Sequence, residues 1–152
     1  MGSAFFYHLT RRPMEETLAM LLEKAHAVGW PVMVRGTDPA RMAWLDEKLW
    51  LGPEDGFLPH GLEGGPHDAL QPILLGTGTG DTNAARCLMS VDGAEVTATE
   101  VDTLERVCVL FDGADTEALA RARSQWKALK DAGARAQYWS EDSGRWEKKA
   151  ET

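Results

Sequence analysis

Short apolar runs of strand character alternate with amphipathic stretches of helical length along most of the chain, and this alternation restricts the fold more than any motif does. "AFFYHL", Ala4 to Leu9, is a strand-like run. After Pro13, the residues Met14, Leu18, Leu21, Leu22 and Ala25 recur at helical spacing until Gly29 stops them. "PVMVR", Pro31 to Arg35, is a second strand, and Asp38-Pro39 supplies an N-cap and a first-turn proline for a helix to about Trp50. A loop crowded with Gly and Pro follows, and then "PILLG" (Pro72 to Gly76) and "RCLMSVDG" (Arg86 to Gly93) form two more apolar strands. "RVCVLFDG", Arg106 to Gly113, leads through Asp115 into a helix over about Thr116 to Ala132, and "RAQYWS" and "RWEKK" close the chain as a strand and tail. Parallel strands need helical crossovers, so the alternation predicts a mostly parallel sheet covered on both faces: a single Rossmann-like three-layer α/β domain spanning residues 1–152.

Composition agrees with one domain, since 43% hydrophobic and 26% charged residues in 152 are ordinary for a core of this size. The formal charge of −8 opposes a general grip on nucleic acid, which depends on Lys and Arg displacing counterions from phosphates. Cys87 and Cys108 each sit inside an apolar run with no second Cys or His at metal-ligand spacing, so they read as buried thiols in a reducing compartment. The N-terminal apolar run is too short for a signal peptide, and no run approaches the ~20 residues needed to cross a bilayer. A cytoplasmic protein without membrane contact is expected.

Catalytic chemistry is hard to find. "LLGTGTGDTNAA" places glycines after a strand, where backbone amides can approach a phosphate. Gly76, Gly78 and Gly80 are nevertheless spaced G-x-G-x-G, no Gly-Lys-Ser/Thr is present, and no long amphipathic helix follows. His60 and His67 lack the Cys, Asp or Glu arrangement of a ligand set, so a loop or structural histidine is the simpler reading. Ser90 has no nucleophile-elbow context. Neither metal nor cofactor is expected, and an enzyme or nucleotide sensor using Gly76 to Asp81 stands as the alternative.

Two other places invite partners. On the last long helix, 100° per residue puts Ala122, Trp126 and Leu129 within about 80° of Leu119 on one side and Arg123, Lys127 and Lys130 within about 80° on the other. A basic stripe beside an apolar one either snorkels over the edge of a buried face or suits an acidic peptide with an apolar terminus. At the end of the second helix, "LDEKLWLGPEDGFLPH" presents Trp50 and Phe57 around a Gly-Pro-Glu-Asp-Gly turn, either as local core caps or as interface anchors.

These residues resemble the chi-subunit family of bacterial DNA polymerase III holoenzyme. The resemblance rests on "FFYHL", "LDEKLW" followed by "FLPHG", "PILL", "ERVCVLFDG", "ARSQWK" and the terminal "YW" and "GRW", in order over nearly the whole chain. It implies a Rossmann-like fold without nucleotide chemistry and a non-catalytic adaptor subunit of the polymerase holoenzyme, a nucleotidyltransferase complex. One surface would bind the acidic C-terminal tail of single-stranded-DNA-binding protein through Arg123, Trp126, Lys127 and Lys130. Another, carrying Trp50 and Phe57, would hold a psi-like clamp-loader subunit or a helicase, so that DNA is met only indirectly. Leu119 departs from the pattern, standing where a further basic residue of the tail-binding helix is expected.

Overall fold

A computed structural model describes residues 2–51, 59–78, 83–141, 143 and 145–152. Alternation of side chains along a strand is what lets one sheet serve two helical layers, and it is visible residue by residue. In β2 (Val32–Arg35), Val32 and Val34 enter one apolar cluster with Leu18, Leu22, Met42 and Leu45, whereas Met33 enters another with Ala122 and Leu129. In β6 (Arg106–Asp112), Cys108 and Leu110 belong to the first cluster and Val107 and Val109 to the second. Helices α1 (Met14–Ala27) and α2 (Pro39–Trp50) therefore cover one face, and α3 (Ala98–Thr103) and α4 (Thr116–Asp131) cover the other.

The remaining strands are β1 (Ser3–Leu9), β3 (Gly61–Leu62), β4 (Ile73–Gly76), β5 (Cys87–Ser90), β7 (Ala136–Ser140) and β8 (Glu147–Glu151). They form one eight-stranded sheet in the order β3-β4-β2-β5-β6-β1-β7-β8. Every described pairing is parallel except β7 with β8, which is antiparallel. The mostly parallel three-layer α/β architecture expected from the sequence is the one observed. From β1 the chain crosses by α1 to β2, passing two strand positions that β5 and β6 later fill, while from β6 it crosses by α4 to β7 on the far side of β1. The winding thus reverses between β1 and β6, and a crevice opens at their carboxyl ends.

Local signals set the helix boundaries. Asp38 accepts a hydrogen bond from the Ala40 N–H at 3.0 Å with Pro39 in the first turn, and Asp115 accepts from the Glu117 and Ala118 N–H groups. Gly29, at φ +82°, ends α1 in a conformation that side-chain-bearing residues resist. α3 was not expected from the sequence. Its capping box pairs Thr97 with Glu100, and its six residues gain a tertiary hold from buried Arg35, which donates to both Glu100 oxygens at 3.1 and 2.7 Å. The two-residue β3 and the β8 pairing were likewise not assigned from sequence. β8 carries Glu147, Lys148, Lys149 and Glu151, charges that discourage further strand addition at an open edge.

Candidate functional site

Trp126 is half-buried beneath the outer face of α4. It meets Phe6 edge-on at 5.4 Å between ring centroids and Tyr138 edge-on at 5.9 Å. Tyr138 of β7 in turn lies 5.9 Å from the rings of both Phe111 and His8, and its hydroxyl is 2.8 Å from His8 Nδ1. The result is an aromatic wall contributed by β1, β6, β7 and α4, with Leu119 packed against the same cluster. Such edge-to-face pairs hold their rings in register and add ~0.5–1.5 kcal/mol each beyond area burial.

Arg123, Lys127 and Lys130 are exposed along this wall. No side-chain hydrogen bond or ion pair engages any of the three among the described residues. Arg123 and Lys127 are four apart, so two like charges face each other across one helical turn, which costs an isolated helix a few tenths of a kcal/mol. In a chain with 24 acidic and 16 basic residues, a stripe of unpaired cations is not what fold stability alone selects. The structure thus brings together Arg123, Trp126, Lys127 and Lys130, and it adds Tyr138, His8 and Phe111, which sequence reasoning did not assign. The alternate residues of β1 and β7 carried a signal for these, but their convergence depends on the β1–β7 pairing, in which His8 lies opposite Ser140 and Phe6 opposite Tyr138.

Trp50 lies elsewhere, at the end of α2 on the opposite face of the sheet. It remains 54% exposed, and its ring rests 4.4 Å from that of His60 at an interplanar angle of 39°. His60 is buried, with Nε2 3.2 Å from the Asp46 carbonyl and 3.3 Å from Asp46 Oδ1. A buried, doubly contacted imidazole supports the Trp50 ring from one side. Leu51, 78% exposed, extends the apolar surface. Phe57, the other anchor expected here, lies outside the described residues.

The loops where an α/β sheet can cradle phosphate hold the chain's own carboxylates instead. After β1, the consecutive N–H groups of Thr10, Arg11 and Arg12 all donate to Glu141 Oε1, at 3.1, 2.9 and 3.0 Å. Burial pushes the Glu141 carboxyl up, but these three donors and the Arg12 charge outweigh it and hold the group below its ordinary value. After β4, Glu63 Oε2 accepts from the Thr77 N–H at 2.9 Å and the Gly78 N–H at 3.4 Å, and a Cβ at Gly76 or Gly78 would collide with that carboxylate. The glycines make room for Glu63. Buried Arg35 ties the same loop down by donating to the Gly78 carbonyl at 3.0 Å.

The other polar candidates do not converge on a site. Ser90 Oγ donates to the Ala94 carbonyl inside the core, and His67 is exposed on a turn. Cys87 and Cys108 are free, buried thiols, and hydrogen bonding with Cys87 together with burial pushes the Cys108 thiol up. Among the described residues no group of three or more His, Cys, Asp or Glu side chains is arranged to hold a metal ion, and no helix is long and apolar enough to cross a membrane.

Comparison with known proteins fits this geometry to a family. A protein of Rickettsia prowazekii (strain Madrid E), described as a probable DNA polymerase III subunit chi, is 24% identical over 90 residues, which are 59% of this chain and 54% of that one. The chain thus matches about half the length of that curated relative. Residues 1–137 match the family described as DNA polymerase III chi subunit, HolC. With nine-tenths of its length covered by that match, the chain belongs to the DNA polymerase III chi subunit family, a family of DNA replication.

Proposed function

We propose that this chain is a non-catalytic adaptor subunit of the DNA polymerase III clamp-loader complex that binds the acidic C-terminal tail of single-stranded-DNA-binding protein on the outer face of α4. The observation that carries this reading is the set of cations there, Arg123, Lys127 and Lys130, exposed and without side-chain partners among the described residues beside the Trp126–Tyr138 aromatic wall. Acidic tail residues would be attracted by the cations, the terminal carboxylate would suit the planar fork of Arg123, and the last apolar side chain would rest against the wall. Leu119, packed on the aromatic cluster where a further cation was expected, enlarges the apolar part of such a pocket and lessens its charge. Each exposed ion pair contributes only ~0–1 kcal/mol, so single-tail affinity is modest, and a DNA-bound protein carrying several tails would add avidity.

A second surface, carrying Trp50 and, by the family resemblance, Phe57, would hold a psi-like clamp-loader subunit or a helicase. The position of α2, which carries Trp50, on the opposite side of the sheet from α4 supports two partners binding at once. The net charge of −8 leaves direct DNA contact to those partners and suits a cytoplasmic adaptor. The competing reading, a nucleotide enzyme or sensor built on Gly76 to Asp81, is disfavoured because the Thr77 and Gly78 amides already serve Glu63.

Calorimetry with an Asp-rich, Phe-ending peptide tests the main proposal. Arg123→Glu combined with Lys127→Glu should abolish binding at low salt without changing the circular dichroism spectrum. Unchanged affinity in that double variant would place the tail site elsewhere.

A further inference from the structure

The crevice at the carboxyl ends of β1 and β6 contains a cavity of about 420 Å³, on the side of α4 turned away from Arg123 and Lys127. Its volume lies within the range of small-molecule sites, and its position is where the winding of the sheet reverses. The floor is apolar, formed by Leu9, Met14, Val109 and Ala122, while Arg12, Arg41 and Arg121 reach its rim from three different elements. Asp92, Asp112 and Asp115 share the lining, so formal charge alone does not favour an anion.

The distribution of contacts does. Asp92 is paired with Arg41 at 3.3 Å, Asp112 accepts from the Ala114 N–H, and Asp115 caps α4. Arg12 and Arg121, by contrast, have no side-chain hydrogen bond or ion pair among the described residues. Arg12 lies near the Glu141 charge without an ion pair to it, and three backbone N–H groups occupy Glu141 Oε1. Gly93 stands at φ +81°, and a Cβ there would come within 2.8 Å of Arg121 Nε, so this turn leaves the room the guanidinium occupies. Gln125 also lines the cavity. Its Nε2 donates to the Ala94 carbonyl at 3.2 Å, while its Oε1 is buried without a donor.

We infer that this cavity is a further binding site, distinct from both surfaces above, for a small organic anion whose phosphate or carboxylate is clamped between Arg12 and Arg121 and whose apolar body lies on the Leu9–Val109 floor. Guanidinium forks suit both oxyanions, and a hydroxyl on the body would satisfy Gln125 Oε1. The site faces away from the tail-binding stripe, because Arg121 and Arg123 are about 200° apart around α4.

Titration of the full chain by two-dimensional NMR with phenyl phosphate, 4-hydroxybenzoate and neutral 4-hydroxybenzyl alcohol tests it. Saturable shifts at Gly93, Ala118, Ala122 and Gln125 are expected with the anions, the tighter of the two identifying the oxyanion. Arg12→Ala and Arg121→Ala should each weaken binding about tenfold, while Arg123→Ala leaves it unchanged. The inference is overturned if the anions give no saturable shift at these residues, if the neutral alcohol binds as well, or if the shifts survive in the Arg12→Ala, Arg121→Ala double variant. Shifts confined to Arg123 and Lys127 would also overturn it while leaving the tail proposal standing, and the acidic peptide titrated in parallel reads that proposal separately.

Discussion

Replacing Glu141 should destabilise the domain more than any surface carboxylate, because one oxygen of this 2%-exposed residue serves three consecutive backbone donors 129–131 positions away in sequence. A hydrogen bond to a charged group contributes ~1.5–3 kcal/mol. Thr10, Arg11 and Arg12 are themselves exposed, so water can rehydrate their amides when the carboxylate is lost, which puts the cost near ~1 kcal/mol per bond. Glu141→Ala should therefore cost about 3 kcal/mol, equivalent to a fall in Tm of about 6–12 °C for a domain of this length. Glu141→Gln, which keeps a neutral acceptor, should cost about half as much. The effect has a defined pH dependence. The folded carboxyl is held below its ordinary value, so its contribution is complete above the unfolded Glu range and is lost as pH falls through the folded value. The gap between wild type and Glu141→Gln in urea melts should accordingly be widest near neutrality and close in acid. A Tm for Glu141→Ala within 2 °C of wild type at neutral pH, or a gap that widens in acid, would refute the assignment of this carboxylate as the latch between β7 and the first loop.

The ion pair between buried Arg35 and partly exposed Glu100 gives a second stability test: Arg35→Met leaves Glu100 and two carbonyl acceptors without their donor, and should cost about 1–3 kcal/mol in a denaturant melt. Burial pushes the Glu100 carboxyl up, but Arg35 and Thr97 together hold it below its ordinary value, so an NMR titration of that variant should show it rise. At the second surface, Phe57→Ala should weaken a clamp-loader-side or helicase partner by about 2 kcal/mol while leaving tail-peptide affinity unchanged, read by calorimetry with both ligands. Neither ATP nor NAD should raise Tm through Gly76 to Asp81, and a saturable shift abolished by Gly78→Leu would favour the nucleotide reading.

The elements best read from sequence were those whose boundaries are encoded by neighbours. α2 runs from Pro39 to Trp50 as Asp38-Pro39 and the Met42-Leu45-Leu49 face require, and α4 starts at Thr116 behind its Asp115 cap. The strands of the sheet were found because a fully buried parallel strand is apolar at nearly every position, as in Ile73–Gly76 and Cys87–Ser90. α3 escaped because six residues carry too few periods to register. Its Thr97-x-x-Glu100 signal was present, but half of what holds it comes from Arg35 on a distant strand. The site divides in the same way. The stripe of Arg123, Lys127 and Lys130 follows from helical geometry alone, whereas the contact between His8 and Tyr138 spans 130 residues and exists only because β1 and β7 are neighbours. Helical geometry places Trp126 on the apolar stripe beside the cations, but that it is half-buried as a wall fixed by Phe6 and Tyr138 depends on packing across the sheet.

The use of carboxylates explains how an acidic chain can still present a focused attraction for acidic ligands. Glu141 and Glu63 are spent on the backbone amides of two loops that could otherwise cradle a phosphate, and Glu100 is spent on Arg35. Each of these negative charges sits against a donor of its own chain, so its field at a distance is partly cancelled. Arg123, Lys127 and Lys130 of α4 are not treated in this way: they are exposed and have no side-chain partner among the described residues, beside apolar rings that water solvates poorly. An acidic peptide approaching the −8 surface would be repelled over much of it and attracted where unpaired cations cluster, as they do along this stretch of helix. That contrast favours orientation and encounter rate more than depth of binding, and exposed charges of this kind are screened beyond ~8 Å at physiological salt. Binding of this form would release readily, which is what the proposed adaptor role would require.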